Sequence, residues 1–285
     1  MKLTYVHQIG DKEINEDAYV INADAAIYAV LDGATGISGI PGYVASHTVE
    51  KELSHAAPSA ELFQIVEAAN RMLSEQNLAY FSKHYQYAQR LTDIPKEQRG
   101  STGLAAIKFA SDMTSFQFVH AGDCMIFLLY ENGDIRAITY DVVQYFDQIG
   151  MEALMDLRGK AAYASAPFPE LMQKVKPTLL NNRLKLNTSE GYGIIDGSPE
   201  AMQHVECGKI SLKRVKKILL VSDGLSMPVT YGDATSWEKT ATFAFENGLD
   251  ALCKEIQQLE NNDPNCQHYP RFKKSDDKTG LMIEW

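Results

Sequence analysis

Two apolar segments of this sequence end in an Asp-Gly pair, and the two segments lie far apart along the chain. Residues 25–31 (AAIYAVL) lead into Asp32-Gly33, and residues 217–222 (KILLVS) lead into Asp223-Gly224. Their length and apolar character predict buried β-strands. A carboxylate at the end of a buried strand has a rigid support. A fold that contains these strands therefore fixes the positions of both acids.

Two more acidic pairs directly precede predicted strands. Glu16-Asp17 comes before residues 18–22, and Asp276-Asp277 comes before residues 279–285. Taken singly, an Asp-Gly pair is also typical of a turn with a solvated acid. If the fold brings the acids together, cations must neutralise their mutual repulsion, and hard oxygen ligands favour magnesium or manganese over zinc.

The remaining pattern predicts one α+β domain. Strands occur in runs and helices in pairs, and Asn132-Gly133 indicates a tight hairpin. This order favours antiparallel sheets over repeated βαβ units. The predicted strands are 4–8, 18–22, 25–31, 101–109, 115–121, 125–130, 135–139, 217–222 and 279–285. The predicted helices are 43–56, 61–83, 237–245 and 249–259, with helical fragments near 142–157 and 169–180. Glycines at 33, 36, 39 and 42 predict a loop over 32–42.

Charge and hydropathy exclude several classes of function. The 27 basic and 37 acidic residues give a net charge of −10, which disfavours binding to nucleic acid. No apolar stretch is long enough to span a membrane. The first residues show no apolar signal region, so we expect a cytoplasmic protein without a membrane partner. The sequence does not indicate an oligomeric state.

Six short motifs occur in a fixed order between residues 15 and 279. They are Asn15-Glu16-Asp17, Val30–Gly36, Gly100-Ser101-Thr102, Gly122-Asp123, Val221–Leu225 and Asp276–Thr279. Together they resemble the metal-dependent serine/threonine protein phosphatases of the type 2C, or PPM, family. The resemblance covers nearly the whole chain.

The resemblance implies a four-layer α-β-β-α sandwich, formed by two antiparallel sheets flanked by helices. It also implies a single phosphatase catalytic domain over residues 1–285, with a variable flap-like segment at about 140–205 that sets substrate choice.

The resemblance further implies two Mn²⁺ or Mg²⁺ ions that share a bridging water, which attacks the phosphorus of phosphoserine or phosphothreonine. Asp32 would bridge both ions, and Glu16 and the Gly33 carbonyl would complete one of them. Asp223 and Asp276 would hold the other ion. Bacterial relatives bind a third, weaker ion, and Asp123 together with Asp223 would hold it in this chain. Asp17 and Asp277 would orient metal-bound waters, so Asp17 joins Asp32 and Lys12 among the expected catalytic residues.

The chain departs from the family pattern at two positions. Lys12 stands where many members carry an arginine that binds the substrate phosphate through two hydrogen bonds. A lysine lacks that bidentate geometry. Lys12 is equally compatible with a solvated turn. Ala34 stands where eukaryotic members carry a histidine, although bacterial members often lack it too.

We therefore expect a phosphoprotein phosphatase that opposes a serine/threonine kinase. Two alternatives remain open: a phosphatase of a small phosphorylated metabolite, and a non-catalytic regulatory binding module on the same fold.

Overall fold

The computed structural model describes residues 1–163 and 166–285. It contains ten strands and six α-helices in these ranges. The strands are β1 Lys2–Gln8, β2 Ala18–Asn22, β3 Ile27–Ala34, β4 Ser101–Phe109, β5 Ser115–Ala121, β6 Met125–Tyr130, β7 Ile135–Ala137, β8 Glu206–Ser211, β9 Val215–Val221 and β10 Lys278–Glu284. The helices are α1 Gly42–Ser54, α2 Leu62–His84, α3 Gln144–Arg158, α4 Phe168–Arg183, α5 Ser236–Asn247 and α6 Leu249–Asn262.

The strands form two five-stranded antiparallel sheets. One sheet has the order β1-β10-β9-β6-β7, and the other has the order β2-β3-β4-β5-β8. Helices α1 and α2 cover the outer face of the second sheet, and α5 and α6 cover the outer face of the first. The inner faces of the two sheets pack against each other. This arrangement confirms the predicted four-layer α-β-β-α sandwich.

Burial on both faces explains why the central strands are continuously apolar. In β3, Leu31 points toward α1 and α2, whereas Val30 points into the core between the sheets. In β9, Leu219 faces α5 and α6, whereas Leu220 enters the inter-sheet core. A strand with both faces covered needs apolar residues at every position. The segments 25–31 and 217–222 therefore predicted central strands correctly.

Several predicted element boundaries differ from the structure, and one strand was not predicted. Strand β3 does not end before Asp32, because its ladder with β4 continues through Asp32–Gly103 to Ala34–Ser101. The loop predicted from residue 32 therefore begins after Ala34. Strand β8 was not predicted, because its residues are mostly exposed at the sheet edge and show no apolar alternation.

Helices α3 and α4 form a pair inserted between β7 and β8. They pack against each other through Leu154, Leu171 and Val175. None of the helices in the described part of the chain combines the length and apolar character needed to cross a bilayer.

The chain returns from α4 to the second sheet through a buried polar anchor. The Asp196 side chain is fully buried, and its Oδ2 accepts a hydrogen bond from Nη1 of Arg99 at 3.3 Å. Its Oδ1 accepts hydrogen bonds from the Ser198 N–H at 2.9 Å and from Nδ2 of Asn187 at 3.0 Å. Buried charges persist only when they are paired and hydrogen-bonded. The anchor therefore fixes the segment that follows α4.

Candidate metal centre

Three acids from both sheets meet at one end of the sandwich. Asp32 lies near the end of β3, Asp223 directly follows β9, and Asp123 lies in the turn that leads from β5 to β6. One carboxylate oxygen of each acid lies within 4.8 Å of the others. The β5–β6 turn crosses between the sheets, which explains how acids of different sheets come together. The structure thus gathers three of the predicted metal ligands.

The three acids line a cleft of about 610 Å³, and the cleft also includes Asp276 and the Gly33 backbone. The Asp276 carboxylate forms an ion pair with Lys273, and its Oδ1 accepts the Asp277 N–H at 3.0 Å. Lys273 lies three residues before Asp276 and also lines the cleft.

Glu16 lies behind the cleft wall and is 4 % exposed. Its Oε1 accepts the Gly42 N–H at 2.8 Å and the Thr35 hydroxyl, and its Oε2 pairs with Lys12. Lys12 lines the cleft, and its side chain is 36 % exposed. The carboxylate of Glu16 is thus engaged by three groups of this chain.

A close backbone approach connects Glu16 to Gly33. A Cβ at Gly33 would lie 2.2 Å from the Glu16 carbonyl oxygen and 2.8 Å from the backbone of Gly42. Only glycine allows the end of β3 to approach both segments this closely. The Gly in the Asp32-Gly33 pair therefore serves packing at the site rather than a turn.

Two further acids support the centre from behind. Asp17 is 1 % exposed and accepts the Ser222 hydroxyl at 2.7 Å. Asp277 is 2 % exposed, and its two oxygens accept the backbone N–H groups of Gly10 and Glu16, each at 2.8 Å. Both oxygens of Asp277 are thus occupied in holding the N-terminal loop.

Crowding of the acids alters their protonation. Enclosure in the cleft, followed by the charge of Asp223, raises the pKa of Asp32 and of Asp123 well above the ordinary range. Burial raises the pKa of Asp17 to about 8, with the charges of Asp276 and Asp223 adding to it against the Ser222 hydrogen bond. Burial acts to raise the pKa of Asp276, but the charge and hydrogen bond of Lys273, together with the charge of Lys12 and the Asp277 N–H, lower it.

These residues fit a site for hard divalent cations. The donors are all carboxylate or carbonyl oxygens, as Mg²⁺ and Mn²⁺ prefer. Within the described residues, the buried Oδ1 of Asp223 has no hydrogen-bond partner. A buried polar atom without a partner is costly, and a cation would satisfy it.

The inserted helices add residues that sequence analysis missed. Asp147 of α3 lines the cleft, and burial together with the charges of Asp141 and Asp223 raises its pKa to about 8. Arg183 of α4 donates from Nη2 to the Ala34 carbonyl at 3.1 Å and to Oγ of Ser101 at 3.0 Å. Asp147 lies in the helical fragment predicted near 142–157 and Arg183 lies just beyond the one predicted near 169–180, but none of the six motifs includes either residue.

The sequence and structure were compared with known proteins. The sequence model of the protein phosphatase 2C family matches residues 6–261. A comparison with curated proteins found no significant sequence match.

Solved structures with the same fold include bacterial phosphatases. The Mycobacterium tuberculosis serine/threonine phosphatase PstP/Ppp aligns over 99% of this chain and 97% of its own, with 20% identity and a TM-score of 0.55. The catalytic domain of PstP in complex with two manganese ions gives the same coverage and identity, with a TM-score of 0.54. Stp1 from Staphylococcus aureus aligns over 100% of this chain and 94% of its own, with 15% identity and a TM-score of 0.56.

A sandwich of two antiparallel sheets with acids converging at one end defines the class of the metal-dependent phosphatases. The family match covers most of the chain, so the chain belongs to the protein phosphatase 2C family. This confirms the predicted family, fold and class of enzyme, a metal-dependent protein serine/threonine phosphatase that uses manganese or magnesium.

Proposed function

We propose that the cleft hydrolyses phosphoserine and phosphothreonine in proteins with its predicted metal ligands. The observation that carries this assignment is the convergence of Asp32, Asp123 and Asp223. Three carboxylates in such proximity repel one another, and divalent cations relieve that repulsion. The partners of these ions would be phosphorylated proteins, whose phosphate dianion completes the neutralisation.

The proposed ligands divide between two ions. Asp32, at the end of β3, would be a ligand of both ions. Glu16 and the Gly33 carbonyl would complete one ion, and Asp223 and Asp276 would hold the other. When bound, such a pair of ions lowers the pKa of a shared water and neutralises the phosphoryl oxygens. The ions would compete with the Lys12 and Lys273 ammonium groups for the carboxylates of Glu16 and Asp276.

A third ion would lie on Asp123 and Asp223. Asp147 also lines the cleft, and its charge is one of those that raise the pKa of Asp123. This third ion would bind more weakly than the first two, because fewer protein oxygens would complete its coordination shell.

Lys12 and Asp17 would act beside the metals. The Lys12 ammonium, released from Glu16, would lie at the cleft rim and attract a phosphoryl oxygen as a point charge. Asp17 is fixed by Ser222 and would accept a hydrogen bond from a metal-bound water. Ala34 follows Gly33 where a histidine could act as the acid, so the leaving group would take its proton from a metal-bound water or from another residue.

We also propose that residues 1–285 act as one catalytic domain and that the segment at about 140–205 selects the substrate. Helices α3 and α4 of this segment line the cleft through Phe146, Asp147 and Arg183. Walls of this kind govern access and water exclusion. Exchange of this segment with that of another family member should change the preference among phosphopeptides, and an unchanged preference would refute its role.

We further propose a cytoplasmic enzyme that opposes a serine/threonine kinase. The net charge of −10 suits neither nucleic acid nor an anionic membrane surface as a partner. A phosphatase that acts on phosphoproteins needs a kinase that produces them in the same compartment.

The test is hydrolysis of phosphoserine and phosphothreonine peptides with a titration of Mn²⁺ or Mg²⁺. The Asp32→Asn variant should lose at least about 100-fold in kcat/KM, because the charge that holds both ions is reduced. The matched control is Asp134→Asn, which alters an exposed hairpin acid.

Two results would favour the alternatives. Preference for small phosphorylated metabolites over peptides would identify a metabolite phosphatase, which the lysine at position 12 leaves possible. Absence of turnover in a folded wild-type protein, with a biological effect that survives Asp32→Asn, would identify a binding module.

A further inference from the structure

A lysine ammonium is buried beside the acid loop. Lys278 is the first residue of β10, directly after Asp276-Asp277, and its side chain is 1 % exposed. Burial of an ammonium group costs several kcal/mol unless its protons find good acceptors. An apolar side chain at this position would avoid that cost. Stability of the core therefore does not explain a lysine here.

Three groups surround the Lys278 ammonium. Its Nζ donates to Oε1 of Glu260 at 3.1 Å, to Oγ of Ser275 at 2.9 Å and to the backbone carbonyl of Asp276 at 2.9 Å, and it lies 2.9 Å from Oε2 of Glu260. An ammonium has three protons, so this set satisfies it completely. The Ser275 hydroxyl also donates to Oε2 of Glu260 at 2.8 Å, which closes the network.

The network connects a rigid helix to both sides of Asp276. Glu260 belongs to α6, whose apolar face packs on the first sheet. Ser275 precedes Asp276, and its backbone exchanges hydrogen bonds with Asp11. The ammonium thus holds the Asp276 backbone from one side, and the Asp276 carboxylate projects into the cleft from the other.

We propose that Lys278 is a positioning residue that sets the Asp276 carboxylate for metal binding through the Glu260–Ser275 network. The inference rests on the proposed function, in which Asp276 is a ligand. Lys278 is not among the described residues that line the cleft. It fixes the backbone conformation from which the ligand projects, and residues that orient a ligand in this way commonly change metal affinity about 10- to 100-fold when they are replaced.

The test measures Mn²⁺ binding directly and turnover separately. In Lys278→Met, electron paramagnetic resonance titration of free Mn²⁺ should show one class of site weakened by about tenfold or more. Phosphopeptide turnover should need correspondingly more Mn²⁺ and should recover its kcat at saturation. A lysine that serves only stability would lower Tm without moving the Mn²⁺ midpoint, and this result would overturn the proposal.

The matched control is Lys217→Met. Lys217 pairs with Glu284 at 3.6 Å on the same sheet, away from the acid loop. This control should leave both the Mn²⁺ affinity and kcat unchanged. An equal loss of affinity in Lys217→Met would show that loss of any lysine weakens the site electrostatically, and it would overturn the specific role of Lys278.

A second variant keeps the test decisive if Lys278→Met folds poorly. Lys278→Met with Glu260→Leu removes both buried charges, a replacement that is often neutral or stabilising. This double variant should fold and still bind Mn²⁺ weakly, because Asp276 lacks its backbone support. Wild-type affinity in the double variant would overturn the proposal. Failure of the wild type to bind Mn²⁺ at all would instead refute the proposed function.

Discussion

Oδ2 of Asp277 accepts the backbone N–H of Glu16 at 2.8 Å, although the two residues are 261 positions apart. Its Oδ1 accepts the Gly10 N–H at the same distance. One buried carboxylate thus fastens the N-terminal loop to the start of β10. This contact brings Glu16 and Asp276, the two proposed ligands nearest the chain ends, into one structural unit.

Asp277→Ala should therefore weaken both the fold and the metal site. The change leaves the N–H groups of Gly10 and Glu16 without acceptors, at about 1–3 kcal/mol each if they stay buried. We expect a lower free energy of unfolding in urea and weaker Mn²⁺ binding through displacement of Glu16. Asp134→Ala, an exposed acid, is the control. Unchanged stability and Mn²⁺ affinity in Asp277→Ala would contradict this role.

Gly33→Ala should displace the end of β3 from Glu16. The new methyl group would lie 2.2 Å from a backbone oxygen, so the strand must move, at a cost of about 1–3 kcal/mol. Thermal unfolding and Mn²⁺ titration measure the two effects. Gly159→Ala is the control, because its φ is −68° and a Cβ would meet no atom closer than 3.6 Å. Equal behaviour of the two variants would disprove the steric constraint at Gly33.

The fold should lose stability in acid partly through His120. This side chain is 1 % exposed, and within the described residues neither ring nitrogen has a hydrogen-bond partner. Burial lowers its pKa from 6.5 to about 4. A lowered histidine pKa favours the neutral form, so its contribution is complete above pH 6.5 and is lost as the pH falls toward 4.

The loss amounts to about 3 kcal/mol over that interval. Glu206, whose Oε2 lies 3.6 Å from Nδ1 of His120, would offset part of it once the ring is charged. Urea unfolding of His120→Gln between pH 4 and 7 should show a shallower pH dependence than the wild type. The exposed His84→Gln variant should keep the wild-type slope. Identical slopes in all three proteins would rule out His120 as the cause.

The helix pair α3–α4 should be loosened by Phe272→Ala. Phe272 belongs to the loop before Asp276 and packs into the cluster of Leu154 and Leu171. Its ring occupies space that a Cβ at Gly150 would meet at 2.8 Å. Loss of the half-buried ring should cost about 1–3 kcal/mol.

Hydrogen exchange should therefore accelerate in α3 and α4, and KM for phosphopeptides should rise more than kcat falls. Tyr145→Ala, at an exposed position of α3, is the control. Unaltered exchange in Phe272→Ala would show that the loop does not hold the helix pair.

The sequence predicted the central elements of the fold but not its edges. Strands β3 and β9 were identifiable because both of their faces are buried, which makes every position apolar. Strand β8 was not, because its residues are exposed and hydrogen bonds to β5 alone define it. Local pattern identifies an element when burial dictates its composition.

The sequence also indicated the acids of the site but not the contacts that hold them. The order of short motifs pointed to Asp32, Asp123 and Asp223. No spacing indicated that Asp277 holds Glu16, or that Lys278 reaches Glu260. Such pairs depend on how distant segments pack, and this information is not present in any local stretch of sequence.

The central claim is that these acids form a multinuclear metal site that hydrolyses phosphoproteins. The most direct measurement is the number of Mn²⁺ ions bound per chain, together with phosphopeptide turnover, in the wild type and in Asp223→Asn. We predict at least two ions and metal-dependent turnover in the wild type, with fewer ions and loss of turnover in the variant. A folded wild type that binds no Mn²⁺, or a variant with undiminished binding and turnover, would contradict the account.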